Sequence, residues 1–219
     1  MNESPWLTHR GCRVLRHIFL ASAFVLLSVI FMRFFPKRDT ISRISIGTAY
    51  SALILTSLAL MLGPWNVLRR RLNPVSFDLR RDVGIWAGIA AVAHTGIGLN
   101  VHLRGRPWLY FVNKHHLQLG MFGLGNYTGL VAALLFAMLL AISNDLSLRR
   151  LGAMKWKSLQ RWTYVAVALT AGHAVAYQNV EKHTLPFRLL IYAVFAGILT
   201  LQLAGILRRK RMQGFNYRS

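Results

Sequence analysis

Residues 83–103 read VGIWAGIAAVAHTGIGLNVHL, and residues 162–179 read WTYVAVALTAGHAVAYQN. Both stretches are rich in apolar residues, and both are close to the roughly 20 residues that a helix needs to cross a bilayer. Each carries a histidine near its middle, His94 in the first and His173 in the second. An imidazole in hydrocarbon is costly unless a partner binds it, so each histidine predicts a functional site inside a membrane.

The composition of the whole chain favours a membrane protein over a soluble basic protein. Hydrophobic residues make up 54% of the 219 residues, and 27 Lys and Arg stand against six Asp and Glu. Such an excess of positive charge is also typical of nucleic-acid-binding proteins. Here the basic residues fall in short clusters between apolar runs, which is typical of a multi-pass membrane protein. We therefore expect a lipid bilayer around the chain and no nucleic-acid partner.

The apolar segments predict an all-α, polytopic membrane protein that folds as a six-transmembrane-helix bundle. Helices are expected because the bilayer core holds no water that could satisfy an open backbone. Pro36, Pro64 and Pro186 mark ends of segments. The start of the chain is basic like a signal peptide, but no small-residue cleavage pattern follows, so the first span is expected to stay attached. The predicted spans are 17–35, 44–63, 83–103, 126–143, 162–179 and 187–207.

The distribution of basic residues predicts the orientation. The side that holds both termini has about twice as many Lys and Arg as the other side. This bias places both termini in the cytoplasm, with residues 208–219 as a basic cytoplasmic tail.

The two histidines are expected at the same depth. On the predicted topology, His94 and His173 each lie roughly 16 Å from the cytoplasmic end of their helix at 1.5 Å per residue. A level pair on two helices predicts shared axial ligation of one iron, that of a b-type haem, which suits electron transfer. Ala90, Gly96 and Gly172 would leave room for the porphyrin beside these ligands.

The acid groups of a haem need cationic partners, and the sequence offers some on both sides. Arg104 and Arg106 lie just beyond the third span on the outer side, and Arg80, Arg81 and Arg161 lie on the inner side.

Other interpretations of the histidines stay open. Each could simply bond a neighbouring helix, or the pair could bind zinc or copper, although no third ligand is expected at that depth. His102 and His183 lie further out on the same two helices and could hold a second haem. His116 falls in an outer loop, where it could dock a partner.

Two blocks of sequence resemble a known family. Residues 79–86 read LRRDVGIW and lead to His94, and residues 155–164 read KWKSLQRWTY and precede His173. Over roughly residues 10–207 the chain is similar to the MsrQ (YedZ) family of the ferric reductase-like transmembrane domain superfamily. The resemblance implies a transmembrane haem-binding domain over 10–207 in the bacterial inner membrane, with haem b held by His94 and His173.

The resemblance also implies partners. Electrons would arrive on the cytoplasmic side from a flavin reductase or the quinone pool, and would pass to a periplasmic reductase that in this family reduces oxidised methionine in proteins. The chain has no G-x-G-x-x-G motif, so a nicotinamide-dependent step is expected on another protein.

One position departs from the family pattern. Members often carry a further inner histidine thirteen residues before the second ligand, and here that residue is Gln160. One haem is therefore expected. A flavin (FMN) beside Trp156, Trp162 and Tyr164 is a candidate inner carrier, although these aromatic residues also fit an interfacial belt.

The preferred prediction is an electron-transfer subunit of an oxidoreductase system rather than a stand-alone enzyme, with no catalytic residue of its own. One alternative is a direct reductase of ferric ions or oxygen. Another is a structural or assembly subunit of a larger membrane complex that has lost its haem. A proton-coupled transporter is disfavoured because the predicted spans lack carboxylates.

Overall fold

The computed structural model describes residues 5–69, 77–101, 106–113, 116–180 and 184–216. Within these residues the protein is built almost entirely from seven α-helices, as the apolar segments predict. A short 3-10 helix at Pro107–Tyr110 and a small antiparallel hairpin lie between the third and fourth of them, with strands β1 (Val112–Asn113) and β2 (His116–Leu117). The helices are α1 (Pro5–Arg33), α2 (Thr40–Leu68), α3 (Phe77–Gly98), α4 (Met121–Ala141), α5 (Asp145–Gln160), α6 (Trp162–Val180) and α7 (Leu185–Asn216).

Four helices in the described part of the chain are long and apolar enough to cross a membrane. They lie in α1, α2, α4 and α7, at Gly11–Arg33, Thr40–Leu68, Met121–Ala141 and Leu185–Met212. The helices α3 and α6 form where the third and fifth spans are predicted, but they carry more polar residues, including the two histidines. The all-helical fold is thus confirmed, whereas six spans stay a prediction.

The segment 144–161, which lies between the fourth and fifth predicted spans, contains helix α5. The side chain of Asn144 caps its start, because Asn144 Oδ1 accepts a hydrogen bond from the amide of Ser147 at 2.8 Å. Gly152 interrupts the helix with φ at +72°, a backbone conformation that favours glycine. The mixture of charged and apolar residues in α5 is typical of a helix at a membrane surface.

Helix α2 lies at the centre of the packing and contacts α1, α3 and α7, while α4 packs against α3 and α6. Small side chains let α2 and α3 approach closely, since Leu55 packs with Ala87 and Ala90, and all three are at least 97% buried. Ser28 of α1 donates a hydrogen bond to Ser51 of α2 at 3.0 Å. Such bonds between membrane helices contribute about 0.6 kcal/mol each. This packing leaves a cavity between α2, α3, α4 and α6.

Candidate functional site

The two histidines lie close together, one on each side of the cavity. His94 of α3 and His173 of α6 have ring centres 6.2 Å apart, and the ring planes are inclined by 69°. A metal-bound imidazole nitrogen lies about 2 Å from the metal and about 1 Å from its own ring centre, so two rings on opposite sides of one metal ion have centres roughly 6 Å apart. The observed separation therefore fits two axial ligands of a single iron.

The hydrogen bonds of the two rings suit the same role. His94 Nδ1 lies 3.0 Å from the carbonyl oxygen of Ser45, and His173 Nδ1 lies 2.7 Å from the carbonyl oxygen of Gly125. Because a carbonyl can only accept, each Nδ1 carries the proton and donates it. Each Nε2 therefore keeps its lone pair, and it has no hydrogen-bond partner among the described residues. This arrangement is typical of metal-bound histidines.

Two protein ligands are enough for a haem but not for a bare zinc site. In the described ranges, no group of three or more His, Cys, Asp or Glu comes together. A structural zinc ion takes four protein ligands, and a catalytic one takes three. A haem iron needs only axial ligands from the protein, because the porphyrin supplies the others.

The cavity has an apolar part and a polar part. The volume of the cavity is about 230 Å³. Leu53, Ala91 and Phe136 contribute to an apolar wall, and Tyr110 and Gln178 contribute polar groups. A porphyrin has the same division, with an apolar ring edge and two acid groups. The residues present thus fit the group that the histidines imply.

Glycines on α4 make room for the second histidine. A side chain at Gly129 would overlap His173 Nδ1 and would lie 2.8 Å from Cε1 of the same ring. At Gly125, which supplies the carbonyl acceptor, a Cβ would approach Tyr177 Cδ2 to 3.0 Å. The imidazole of His173 can therefore lie against α4 only because Gly129 lacks a side chain, and the absence of a side chain at Gly125 leaves room for Tyr177.

A chain of hydrogen bonds holds the polar side of the cavity together. The Tyr177 hydroxyl donates to Asn126 Oδ1 at 2.5 Å, and Asn126 Nδ2 donates to the carbonyl of Tyr110 at 2.8 Å. The Tyr110 hydroxyl in turn donates to the carbonyl of Gly98 at 2.7 Å. These bonds connect α6, α4, the 3-10 helix and the end of α3. Sequence reasoning did not single out Asn126, Tyr110 or Tyr177.

Of the other residues that the sequence predicts for the cofactor site, Arg81, Gly172 and Arg106 are not among the described residues that line the cavity. The side chain of Arg81 is 6% exposed and donates a hydrogen bond to Asp145 Oδ1 at 2.6 Å, near the start of α3. Gly172 is exposed beside His173, and Arg106 is exposed. Arg104 lies outside the described residues. Among the residues that line the cavity, the charged side chain is that of Arg38, in the turn between α1 and α2.

A second polar region, the Asp82 cluster, lies near the start of α3 and comprises Arg13, Arg16, His17, Arg81, Asp82 and Asp145. The side chain of Asp82 is fully buried, and Arg13 and Arg16 lie 3.4 and 3.3 Å from its two oxygens. His17 Nε2 lies 3.5 Å from the same carboxylate, while its Nδ1 accepts a hydrogen bond from Trp86 Nε1 at 3.1 Å. The cluster connects α1, α3 and α5.

The electrostatics of the cluster favour the charged form of Asp145. The hydrogen bond and charge of Arg81 lower the pKa of the Asp145 carboxyl, which lies outside the candidate spans. Arg13 also contacts Asp145, at 3.6 Å.

The aromatic residues proposed for a flavin differ in exposure. Trp156 is only 5% exposed, and its Nε1 donates to the carbonyl of Ile142 at 2.9 Å. Trp162 and Tyr164 are each 49% exposed. The amide of Gln160 donates to the hydroxyl of Ser143 at 3.2 Å, at the end of α4.

An all-helical bundle with four long apolar helices defines a multi-pass membrane protein, and here the bundle encloses a histidine pair. Comparison with curated proteins finds a similar chain, the protein-methionine-sulfoxide reductase heme-binding subunit MsrQ of Deinococcus radiodurans. The two are 29% identical over 176 residues, which are 76% of this chain and 77% of that protein. The resemblance to the MsrQ family is thereby confirmed. No family model matches the chain, and no solved structure matches it.

Proposed function

We propose that this chain is a haem-binding membrane subunit that passes electrons across the bacterial inner membrane to a periplasmic reductase. The observation that carries this proposal is the His94–His173 pair, whose ring separation and Nδ1 hydrogen bonds suit two ligands of one iron. The similarity to a protein named as a heme-binding subunit of protein-methionine-sulfoxide reductase supports it further.

In this proposal the protein positions the cofactor and controls its surroundings. A b-type haem with two imidazole ligands supplies a one-electron carrier. His94 and His173 provide the ligand nitrogens, and the carbonyls of Ser45 and Gly125 fix the rings by accepting their Nδ1 protons. The apolar wall around Phe136 excludes water from the ring edge. Since one histidine pair lines the cavity within the described residues, we propose one haem for each chain.

The topology we propose has six spans, with residues 10–207 as the ferric reductase-like haem-binding domain and 208–219 as the basic tail. Both termini would lie in the cytoplasm. The Asp82 cluster supports this grouping, because it brings basic residues near the start of α1 and the start of α3 together with α5. These segments are the ones that the excess of Lys and Arg assigns to the cytoplasm.

The proposed donor is a cytoplasmic flavin reductase or the quinone pool, and the proposed acceptor is a periplasmic reductase that acts on oxidised methionine. An FMN on the inner side remains a second cofactor proposal. It would stack on Trp162 or Tyr164, whose rings are about half exposed, rather than on the buried Trp156.

An optical spectrum of the detergent-purified chain, oxidised and then reduced with dithionite, tests the proposal. We expect a low-spin spectrum typical of two imidazole ligands, and a pyridine haemochrome assay should give about one haem per chain. A colourless chain would contradict the proposal and favour a structural or assembly subunit. The purified, reduced chain can also be mixed with ferric chelates or oxygen in the absence of any partner protein. Rapid reduction under these conditions would favour a direct reductase.

A further inference from the structure

The cavity has a charged entrance that the histidine pair does not use. One wall of the cavity follows α2 from Arg38 through Ser42 to Ser45, the residue whose carbonyl holds His94. Arg38 precedes the helix, in a turn where its amide donates to the carbonyl of Phe35 at 3.2 Å. In the described part of the chain, Arg38 is the basic residue among those that line the cavity apart from the histidines, so the wall leads from a cation to the carbonyl that holds His94.

A second group on the lining also indicates a polar ligand. Gln178 of α6 is 3% exposed and lines the cavity, and its Oε1 has no hydrogen-bond partner among the described residues. Its Nε2 lies 3.4 Å from the hydroxyl of Tyr50, which is a long hydrogen bond. Because the oxygen and nitrogen of an amide can exchange places by a flip, one end of this amide is left for a ligand in either orientation. A buried amide group without a partner costs about 1–3 kcal/mol.

We propose that Arg38 and Gln178 form a subsite for the acid groups of the cofactor, in which Arg38 binds a propionate of the haem and the Gln178 amide bonds the same end of the molecule. This inference rests on the proposed function. Arginine suits the role because its planar fork of donors matches a carboxylate. The subsite fixes which edge of the porphyrin points toward the turn between α1 and α2, whereas the histidines alone fix only the iron.

The inference differs from the expectation drawn from the sequence, which placed the cationic partners on Arg104, Arg106 and Arg81. Of these, Arg81 is occupied by Asp145, Arg106 is not among the lining residues, and Arg104 lies outside the described residues. Within the described residues, the turn before α2 provides the charge on the cavity lining.

Two porphyrins that differ only in their acid groups test the subsite. The full-length chain is expressed under haem depletion, purified in detergent and titrated with haemin or with haemin dimethyl ester, and the Soret band reports binding. We expect Arg38→Ala to weaken haemin binding about tenfold and to leave the dimethyl ester within about twofold of wild type, because a charged hydrogen bond is lost only with the acid. Arg38→Lys should restore part of the lost haemin affinity. Gln178→Leu should weaken haemin binding by about threefold relative to wild type.

Lys37→Ala is the matched control, since Lys37 is an exposed cation next to Arg38 that does not line the cavity. It should bind both porphyrins like wild type. Equal binding of haemin by wild type and Arg38→Ala would overturn the subsite and leave the histidine site intact. Equal loss of both porphyrins in Arg38→Ala would also overturn it, because the effect would not depend on the acid groups. If wild type bound neither porphyrin, the proposed function itself would fail, and the subsite with it.

Discussion

The Asp82 cluster and the histidine cavity are two polar regions within one apolar bundle, and they differ in what their polar groups face. In the cluster, the buried carboxylate of Asp82 lies against Arg13 and Arg16, so charges of opposite sign meet within the protein. In the cavity, the Nε2 atoms of both histidines lack partners among the described residues. A region where groups of opposite charge face one another holds helices together. A region that leaves them open is built to bind something else.

Removing either histidine should have the largest effect, which is the loss of haem binding in the cavity. We expect His94→Ala and His173→Ala to retain less than about a tenth of the wild-type haem, because each removes one of the two ligands that we propose for the iron. The Soret band and the pyridine haemochrome assay measure this loss. His116→Ala, on the exposed hairpin, should keep full haem content. An unchanged Soret band in His173→Ala would show that the ligand is assigned wrongly.

Filling the space behind a ligand should have the next largest effect. Gly129→Ala places a methyl group on the ring of His173, so the ring must rotate or α4 must move away from α6. We expect haem affinity to fall about tenfold, as when a group that orients a ligand is lost, together with a shift from low to high spin. Gly96→Ala is the control, since nothing lies within 4 Å of a Cβ at that position. Similar spectra for the two variants would contradict the close contact between Gly129 and His173.

The Asp82 cluster can be disrupted without changing the cavity. Asp82→Asn removes the carboxylate that faces Arg13 and Arg16, and we expect unfolding to become easier by about 2 kcal/mol. This figure is below the usual cost of breaking a buried pair because both arginines are about one-third exposed. Asp82 and His94 are separated by about 18 Å along α3, so the haem spectrum should not change. Detergent denaturation followed by circular dichroism and by the Soret band distinguishes these effects. A changed spectrum in the folded variant would indicate that the two regions are coupled.

Acid should produce the smallest effect, and the effect that we test lies at Asp145 in the Asp82 cluster. Because Arg81 lowers the pKa of Asp145, this carboxylate contributes stability above its ordinary pKa, and the contribution is lost as the pH falls through the lowered value. The side chain of Asp145 is 56% exposed, so we expect only a few tenths of a kcal/mol, lost below about pH 4.

Unfolding curves of wild type and Asp145→Asn between pH 6 and acid conditions (about pH 3) check this. The hydrogen bonds from Ser42 also lower the pKa of Asp39, but this group titrates in both proteins and cancels in the difference. Identical pH dependence of the two proteins would contradict a role for the Arg81–Asp145 bond.

The sequence was sufficient to pair His94 with His173 because the rise per residue of a helix is constant. The number of residues from the end of a span therefore predicts the depth of a side chain in the membrane. Equal distances from the same side predict equal depth, and apolar flanks predict burial. The rotation of each helix about its axis is harder to predict, and it decides which neighbours share a cavity. Asn126 and Tyr177 were missed for that reason, and Gly172 was assigned to the site although it is exposed.

Residues outside the spans were predicted least well. Arg38 flanks an apolar segment, as several other basic residues do, and nothing in its local sequence indicates that it lines the cavity. Helix α5 was missed because its charged residues resemble a loop between spans. The bond from Arg81 to Asp145 was not predicted because the two residues are 64 positions apart in the chain. Such pairings depend on tertiary contacts, which cannot be predicted from the local pattern of a single sequence.

The carbonyls that hold the two imidazoles belong to the main chain. The orientation of each ring therefore depends on the position of a neighbouring helix. A shift of α2 along α3, or of α4 along α6, by even one residue would move an acceptor about 1.5 Å and misalign one ring. Substitution of the Ser45 side chain, by contrast, should leave the acceptor in place. Absorption of a haem bound here would therefore report mechanical distortion of the bundle, such as that caused by a thinner bilayer or a docking protein, before any helix unfolds.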